Sequence, residues 1–381
     1  MKAWPVVSLR ELLRLDLQKE PVDSAKKYEM VGVLSYGRGL FRRPAVENGN
    51  TSYKYMLRLK ADHIVMSQLF GWEGALALSS SEFEGAYLSP NFPTFVVNEA
   101  LVNRKFLGWV MQQPSFWADL GSRAKGMGDR RRTLNPEALF QSTTPLPPLA
   151  EQQSLVARLD ALAEKTRQIA AHLDAAERDA EHLLALRFRD AIADAPLRPM
   201  VEVAPLFRRE QSIALDGSYP ELGIRSFGKG TFHKPPLSGG DVGTKRLYRI
   251  EPGDLLFSNV FAWEGAIAIA QPEDAGRFGS HRFITCLADS AQTSAQFLRY
   301  YFLTDDGLLK IGEASPGGAG RNRTLGLEKL MALEVPVPPL PAQQSFERLQ
   351  TKIAALKAKH TAIRQANAAL LPATLERVFA Q

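Results

Sequence analysis

Two glycine-rich segments concentrate arginine side chains in a way that suits contact with an anionic polymer. GSRAKGMGDRRRTL covers residues 121–134, and GEASPGGAGRNRTL covers residues 312–325. Glycine lets a backbone approach phosphate closely, and a guanidinium can hydrogen-bond guanine or phosphate at two points. Because Arg-x-Arg-Thr recurs at the same place in both segments, DNA contact is favoured over a merely solvated charged loop. The predicted DNA-binding residues here are Arg123, Lys125, Arg130, Arg131, Arg132, Arg321 and Arg323.

A second pair of segments places one cation between two glycines. SYGRGLFRRP covers residues 35–44, and SFGKGTFHKP covers residues 226–235. A tight Gly-Arg-Gly or Gly-Lys-Gly turn presents its cation outward, which suits a DNA phosphate or a guanine edge. A solvated turn without a ligand is the alternative interpretation. The predicted DNA-binding residues of these turns are Arg38, Arg42, Arg43, Lys229 and Lys234.

The sequence does not favour a catalytic site in these segments. GIRSFGKG nearly matches the phosphate-cradling G-x-x-x-x-G-K-[ST] motif, but Gly230 stands where Ser or Thr would ligate magnesium. Glu73 and Glu264 suggest a metal-dependent nuclease, for which Asp254 is a second acid, yet no lysine follows either glutamate at short range. The six histidines and the single cysteine have no metal-ligand spacing. We therefore predict no catalytic residue and no metal or cofactor site, and expect both glutamates to be structural.

One offset of 191 positions relates both pairs of segments, which indicates a tandem duplication. The same offset relates FGWEGALAL to FAWEGAIAI and PLPPLAEQQS to PVPPLPAQQS. Trp72 and Trp263, in the first of these pairs, are expected to lie in the core more readily than to stack on bases. Four registered blocks at one offset indicate two similar domains, each followed by the same kind of connector.

Short alternating apolar runs predict strands within 53–79 and 247–270. Helical periodicity predicts helices within 98–120 and 291–311, and shorter ones at 136–140 and 327–331. A small helix is also predicted around Leu9–Leu15. These elements alternate with many Pro- and Gly-containing loops, so each repeat is predicted to be a mixed α/β domain.

Each proline-rich segment leads into a long polar helix with an apolar stripe spaced alternately four and three residues apart. That heptad spacing predicts a coiled coil, and the partner of each helix is expected to be the other copy in the same chain. The predicted stripes are Leu155, Leu159, Leu162, Thr166, Ile169, Leu173, Ala176, Ala180 and Leu183, and then Phe346, Leu349, Ile353, Leu356, His360, Ile363, Asn367, Leu370 and Thr374. His360 and Asn367 would fix register, and Pro372 is expected to kink or end the second helix.

Bulk properties fit a globular protein with an anionic partner but do not identify one. The chain has 381 residues, 45% hydrophobic and 23% charged, with a formal net charge of +6. Cys286 is the single cysteine, which excludes an internal disulfide and suits a reducing cytoplasm. No apolar run is long enough to span a membrane.

The duplicated proline-rich segments, PLPPLAEQQ and PVPPLPAQQ, together with the Trp-Glu-Gly-Ala block in each repeat, resemble the specificity subunit of type I restriction-modification systems. The resemblance covers essentially the whole chain. Its expected fold is α+β, with two similar mixed α/β target-recognition domains, two long antiparallel coiled-coil helices and a pseudo-two-fold axis. The predicted divisions are residues 1–144 and 196–335 for the recognition domains, and 145–195 and 336–381 for the helices.

The resemblance implies a non-catalytic reader of double-stranded DNA, in which each domain recognises one half of a split, asymmetric site. It also implies that the helices bind two modification subunits, which carry S-adenosylmethionine and methylate adenine, and that a restriction subunit can join them. The predicted partner-binding residues are Glu151, Gln152, Gln153, Gln343 and Gln344; Ala342 departs from the family's glutamate. A helical adapter that binds only protein is the alternative from another class, and a metal-dependent nuclease is less favoured.

Overall fold

The computed structural model describes residues 4–47, 50–124, 132–317 and 323–379, and the chain divides into two compact units. Unit 1 contains residues 1–175 and 359–381, and unit 2 contains residues 176–358. Each unit therefore combines one predicted recognition domain with parts of both long helices. The four-part division of the chain stays a prediction.

Unit 1 is built from short antiparallel strands. Its four-stranded sheet has the order β2-β10-β7-β8, its three-stranded sheet the order β3-β6-β9, and β4-β5 and β1-β11 form pairs. The β1-β11 pair joins the start of the domain to the strand that precedes the long helix, with Val6 opposite Pro145. The strands are β1 Val6–Ser8, β2 Leu13–Leu15, β3 Lys19–Pro21, β4 Val31–Val33, β5 Leu40–Arg42, β6 Tyr55–Arg58, β7 Ile64–Met66, β8 Leu76–Leu78, β9 Tyr87–Leu88, β10 Thr94–Val97 and β11 Thr143–Pro145.

The helices of unit 1 pack against one face of the four-stranded sheet and share a core with the long helices. They are α1 Leu9–Leu12, α2 Arg104–Val110, α3 Pro114–Arg123, α4 Pro136–Phe140 and the long α5 Leu149–Ile192, with 3₁₀ turns at Gly71–Glu73 and Ser81–Phe83. The predicted helix around Leu9–Leu15 is therefore only four residues long, because its second half is strand β2. Phe95, Phe106 and Leu107 are fully buried in a cluster that also takes in Leu375 and Phe379. That burial ties part of the last helix to the first domain.

Unit 2 repeats the central arrangement. Its three-stranded sheet has the order β18-β17-β20, a five-stranded sheet the order β13-β16-β19-β14-β15, and β12 pairs with β21. The strands are β12 Leu197–Pro199, β13 Arg209–Gln211, β14 Ser218–Ile224, β15 Thr231–Ser238, β16 Leu247–Arg249, β17 Leu255–Ser258, β18 Ile267–Ile269, β19 Phe278–Ser280, β20 Phe283–Cys286 and β21 Glu334–Pro336. The helices are α6 Met200–Val203, α7 Gly239–Val242, α8 Ala295–Phe302, α9 Asp305–Glu313, α10 Leu327–Ala332 and the long α11 Leu340–Phe379, with 3₁₀ turns at Ala262–Glu264 and Pro272–Asp274. The predicted mixed architecture and both long helices are confirmed.

The two long helices pack against each other within each unit. In unit 1, Asn367 Nδ2 of α11 donates to the Thr166 carbonyl of α5 at 2.8 Å, and Arg364 pairs with Asp174 at 2.6 Å. In unit 2, Phe188 of α5 lies against Phe346 of α11 with ring centroids 5.2 Å apart. Asn367 thus occupies a seam position, as the heptad spacing predicts.

The predicted seam is wrong at five positions, where the side chains are exposed. The neighbouring positions that are half-buried instead are Ala170, Glu177 and Leu184 on α5, and Arg364 and Leu371 on α11. A strict heptad assumes 3.5 residues per turn, whereas a straight helix has 3.6, so the contact face drifts by a residue over several turns. The exposed positions are Ile169, Ala176, Leu183, Ile363 and Leu370.

Pro372 does not end α11, which continues to Phe379. The residues beyond the proline have strong reasons to stay helical. Leu375 and Phe379 are 2% and 6% exposed, and the Phe379 ring meets Phe106 edge-on at 5.4 Å. Burial of these two apolar side chains offsets the backbone hydrogen bond that a proline removes.

Candidate nucleic-acid interface

A five-residue turn, residues 35–39 in unit 1, is held on the 3₁₀ helix Gly71–Glu73 by its backbone. We call the first element the turn segment and the second the tryptophan helix. The Tyr36 amide donates to the Glu73 carbonyl at 2.8 Å, and the Gly37 amide donates to the Gly74 carbonyl at 3.0 Å. The Ser35 hydroxyl donates to Glu73 Oε2 at 3.2 Å. Glu73 therefore has the structural role that the sequence predicts.

Unit 2 has the same arrangement between its turn segment, residues 226–230, and its tryptophan helix, Ala262–Glu264. The Phe227 amide donates to the Glu264 carbonyl and the Gly228 amide to the Gly265 carbonyl, both at 2.8 Å. The Ser226 hydroxyl donates to Glu264 Oε2 at 3.1 Å. Three matched contacts at the 191-residue offset show that the duplication preserved this junction.

The turn segments need an unusual backbone. Tyr36 and Phe227 both have φ of 62°, a left-handed conformation that is uncommon for bulky residues. Gly74, with φ of 78°, closes the tryptophan helix, and a Cβ there would lie 2.4 Å from Trp117. Glycine is required at this position both for its conformation and for the close approach of the indole.

The end of each arginine-rich segment lies beside its tryptophan helix. The Arg132 guanidinium lies over the Trp72 ring, 5.6 Å from its centroid, and the Arg323 guanidinium lies over the Trp263 ring at 5.3 Å. Both distances fit a cation–π contact, which is strongest for tryptophan. The tryptophans are half-buried against their cores, so each ring both packs inward and supports an arginine.

The predicted cations within and just after the turn segments lie in different surroundings. Arg38 and Lys229 are exposed beside their aromatic neighbours, with the Arg38 guanidinium 5.9 Å from the Tyr36 centroid and Lys229 Nζ 5.6 Å from the Phe227 centroid. Arg42 donates to the Glu82 carbonyl at 3.0 Å and lies over Phe83. Arg43 is exposed, and Lys234 is half-exposed on β15. Contact of these five residues with DNA stays a prediction.

Arg123 is paired with a carboxylate of its own helix. Its guanidinium donates to both oxygens of Asp119, at 2.9 and 3.2 Å, and the Ser142 hydroxyl adds a third bond to that carboxylate. Burial alone would raise the pKa of Asp119, but these hydrogen bonds and the charge of Arg123 lower it below its usual value. Arg123 therefore anchors the end of α3 and contributes less free charge than the sequence predicts.

Four of the predicted DNA-binding residues fall on parts of the chain outside the described residues. They are Lys125, Arg130, Arg131 and Arg321. Arg132 and Arg323, which follow them, are described and mark where the two segments rejoin the domains.

Arg299 is a cation at this site that the sequence did not indicate. It extends from α8 and donates to the Gly228 carbonyl of the turn segment at 2.6 Å. Burial lowers the pKa of its guanidinium. The matching residue in unit 1 is Gly108, which lines a surface cavity of about 200 Å³ together with Gly37 and Gly39. The internal repeat does not point to Arg299, because its counterpart is a glycine and the two side chains have no chemistry in common.

Two predicted partner-binding glutamines are buried inside the chain. Gln152 is fully buried; its Oε1 accepts from the Asn103 amide at 2.7 Å, and its Nε2 donates to the carbonyls of Pro147 at 2.8 Å and Leu101 at 3.3 Å. The side chain thus joins the start of α5 to the loop before α2. The prediction that Gln152 contacts another subunit is corrected, since its polar atoms are occupied internally.

Gln343 makes the equivalent junction in unit 2, and its partner-binding prediction is corrected for the same reason. It is 1% exposed and accepts from Thr293 Oγ1 at 3.0 Å and the Ser294 amide at 3.2 Å. Its Nε2 donates to the carbonyls of Gln292 and Pro338 at 2.9 and 2.8 Å. We call these two junctions the amide clasps. Glu151, Gln153 and Gln344 are exposed, and their partner-binding role stays a prediction.

The carboxylates considered for a nuclease are occupied by structural partners. Asp254 is 1% exposed and receives two bonds from Arg209, at 2.7 and 3.0 Å. His63, at the matching place, lies 3.0 Å from Asp16. Among the residues that the structure describes, no three His, Cys, Asp or Glu side chains cluster closely enough to hold a metal ion.

None of the described helices has both the length and the apolar character needed to cross a lipid bilayer. The long helices carry charged side chains along their exposed faces.

Comparison with solved structures shows what the whole chain resembles. The HsdS subunit from Thermoanaerobacter tengcongensis superposes with a TM-score of 0.63 at 18% identity, covering 100% of this chain and 97% of that chain. A chain from a structural study of complex assembly and conformational transition of the type I R-M system gives a TM-score of 0.71 at 17% identity, covering 99% and 97%. This chain has the fold of a type I restriction-modification S subunit. The resemblance inferred from the sequence is confirmed at the level of the fold.

The likeness to these solved structures is one of fold and not of close sequence identity. No protein-family model and no curated protein matches the sequence. At identities of 17% and 18%, the S-subunit fold is kept while most side chains differ. Functional residues must therefore be argued from this chain's own geometry.

Proposed function

We propose that this chain is the DNA-recognition subunit of a type I restriction-modification complex and carries no catalytic residues of its own. The observation that carries the proposal is the recurrence, in both units of an S-subunit fold, of one surface arrangement. A turn segment with an exposed cation is fixed to a tryptophan helix, and an arginine lies over that tryptophan. Arginine and aromatic side chains held rigidly together are a common basis for nucleic-acid contact.

The two units are proposed to read different half-sites. The matched positions keep their chemistry but not their identity: Tyr36 and Arg38 in unit 1 correspond to Phe227 and Lys229 in unit 2. Arginine can make two parallel hydrogen bonds to guanine, whereas lysine acts as a point charge. A bipartite and asymmetric recognition sequence follows from that difference.

Double-stranded DNA is the partner that the charge favours. The chain has a net charge of +6, and most of the named cations that the structure describes are exposed or rest on aromatic rings. Because such cations release counterions from DNA when they bind phosphate, affinity should fall steeply with salt.

The long helices and the exposed residues at their starts are proposed to bind the other subunits. Glu151, Gln153 and Gln344 lie on the first turns of α5 and α11, directly beside the amide clasps. In this proposal two methyltransferase subunits supply S-adenosylmethionine and the adenine methylation, and a restriction subunit can join them. The start of α11 lacks the glutamate of α5, so the two binding sites are not identical.

Methylation by the reconstituted complex tests the proposal. A library of duplexes is offered to the complex of this chain with its methyltransferase subunit, and the methylated sites are read by sequencing. We expect a split, asymmetric site. A contiguous or palindromic site would contradict the model of two readers.

Substitutions separate DNA recognition from the adapter alternative. Reversing the charge of Arg132 and Arg323, the described members of the repeated arginine pattern, should weaken salt-dependent DNA binding by the assembled complex. Exchange of residues 1–144 with those of a relative should change one half-site only. DNA binding that is indifferent to both changes would favour a protein adapter.

A further inference from the structure

We propose that Tyr36 and Phe227 contact bases directly, each laying its ring against a base in the half-site that its unit reads. The inference rests on the proposed DNA-recognition function and names a residue in each unit that determines specificity. Neither residue is a cation, and neither was indicated by the basic pattern of the sequence.

The first observation is exposure. Tyr36 is 61% exposed and Phe227 is 74% exposed, although both are large aromatic residues in otherwise well-packed domains. Single exposed apolar residues are ordinary, but a matched aromatic pair at the tip of the same turn in two diverged repeats needs a reason. Phe70 and Phe261, at the start of each tryptophan helix, are 51% and 40% exposed, so each tip has a second aromatic on the element that supports it.

The second observation is backbone strain at the same residues. Both have φ of 62°, a left-handed conformation that is strained for a bulky side chain and unstrained for glycine. Glycine would remove this strain and occurs on either side of the cation in each turn segment. The strained conformation directs the aromatic ring outward, and retaining it in both repeats favours a ligand over a folding role.

The third observation is rigidity. Two backbone hydrogen bonds and one serine hydroxyl fix each turn segment to its tryptophan helix, and Arg299 adds a further bond in unit 2. A ring held in this way loses little conformational entropy when it meets a flat partner. Base stacking on aromatic side chains, with a neighbouring cation on phosphate, is the pairing that this geometry fits.

Packing within the domain does not account for the two rings. Tyr36 meets Trp117 edge-on with centroids 6.2 Å apart, and most of its surface stays exposed. In unit 2 the residue matching Trp117 is Leu308, so Phe227 has lost that aromatic neighbour yet remains aromatic. If packing had selected the ring, its change of neighbour would have relaxed the requirement.

The test compares variants that lose the aromatic ring, variants that keep similar bulk and a control variant, each in the assembled complex bound to its recognition duplex. Phe227→Ala removes the ring, Phe227→Leu keeps apolar bulk without an aromatic face, and Leu215→Ala, at a residue 84% exposed in the same unit, is the matched control. In unit 1, Tyr36→Ala is compared with Tyr36→Phe. Binding of fluorescent duplexes gives the dissociation constants for the cognate site and for single-base variants of each half-site.

We expect Phe227→Ala and Tyr36→Ala to weaken cognate binding about ten-fold or more. Each should reduce base discrimination in one half-site only. Phe227→Leu should resemble Phe227→Ala, while Tyr36→Phe and Leu215→Ala should resemble the unmodified complex. A 2-aminopurine placed at the affected base should be quenched by the unmodified complex and recover in the alanine variant.

Two failures are distinguishable. If the unmodified complex recognises a split site but both alanine variants bind and discriminate as it does, the aromatic inference is overturned and the proposed function stands. If the unmodified complex shows no split-site recognition, the proposed function itself fails. Native reactivity of the buried thiol of Cys286 reports whether unit 2 variants have remained folded.

Discussion

Replacing the buried glutamine of an amide clasp by alanine should destabilise the chain far more than replacing the glutamine beside it. In Gln152→Ala, the Asn103 amide and the carbonyls of Pro147 and Leu101 lose their partner. Each buried polar group left unpaired costs about 1 kcal/mol or more, so the three together predict a loss of about 3 kcal/mol. For a unit of this size that corresponds to a fall in melting temperature of about 6–12 °C.

Gln153→Ala is the control for this prediction. Gln153 is exposed on the next position of the same helix, so its replacement should change stability by no more than about 0.5 kcal/mol. Gln343→Ala and Gln344→Ala repeat the comparison in unit 2, where the buried amide makes four bonds and the loss should be at least as large.

The assay combines calorimetry with hydrogen exchange. Calorimetry gives the melting temperatures, and amide exchange at residues 101–103 and at Leu149 reports the clasp itself, since a two-unit chain need not unfold in one step. Equal melting temperatures for Gln152→Ala and Gln153→Ala, with unchanged exchange at the clasp, would refute the reasoning. That result would mean that the hydrogen bonds of Gln152 add nothing beyond what water supplies.

Three further predictions concern the cysteine, the helix seam and the turn segments. Burial, and secondarily the charge of Asp254, raises the pKa of Cys286 to about 12, so its thiol should resist alkylation at pH 8 until denaturant opens unit 2. The stability that the protonated thiol contributes should be lost only as pH rises above 9. Rapid alkylation of the native chain would contradict this prediction. Asn367→Leu should raise the melting temperature by about 2–4 °C, because a polar seam residue fixes register at a cost in stability, and an unchanged or lower value would show that its bond to Thr166 stabilises the pair. Arg299→Met should speed hydrogen exchange at residues 226–230, while Gly108→Arg should slow exchange at residues 35–39. Gly108→Arg should also stabilise its helix by about 1 kcal/mol, because glycine is unfavourable inside a helix. Unchanged exchange in both variants would show that an arginine at this position does not brace the turn segment.

The duplication made much of the fold predictable from the sequence. Strands β6–β8 and β16–β18 lie within the predicted stretches, and α4 Pro136–Phe140 coincides with its predicted range. These elements were predictable because their apolar periodicity reflects local burial, and the same periodicity occurs in both repeats. Only the first half of the helix predicted around Leu9–Leu15 forms, because Leu13–Leu15 pairs with β10 as strand β2. That pairing is a long-range contact which the local apolar pattern does not reveal.

The sequence does not show which glutamine at the start of α5 is buried. Gln152 and Gln153 are adjacent polar residues on a polar helix, so no pattern separates the buried one from the exposed one. The decision depends on a loop near residue 102, some fifty positions away, whose backbone groups need partners. The motif led to one prediction for both glutamines, whereas the structure shows that Gln152 is occupied within the domain and that Gln153 is exposed.

The residues that hold the turn segments in place were also only partly predictable from the sequence. The repeat alignment finds Arg38 and Lys229 together, because the glycines around them are shared. It does not find Arg299, whose counterpart is Gly108, even though Arg299 holds the carbonyl behind one of those turns. The two turn segments thus keep one backbone geometry with different supports: a half-buried cation in unit 2, and an open cavity in unit 1. If the two units read half-sites as proposed, the turn segment of unit 2 should be the more rigid one, because Arg299 adds a bond to the three that both units share. Substitutions behind the turn segments could then alter recognition as well as substitutions within them.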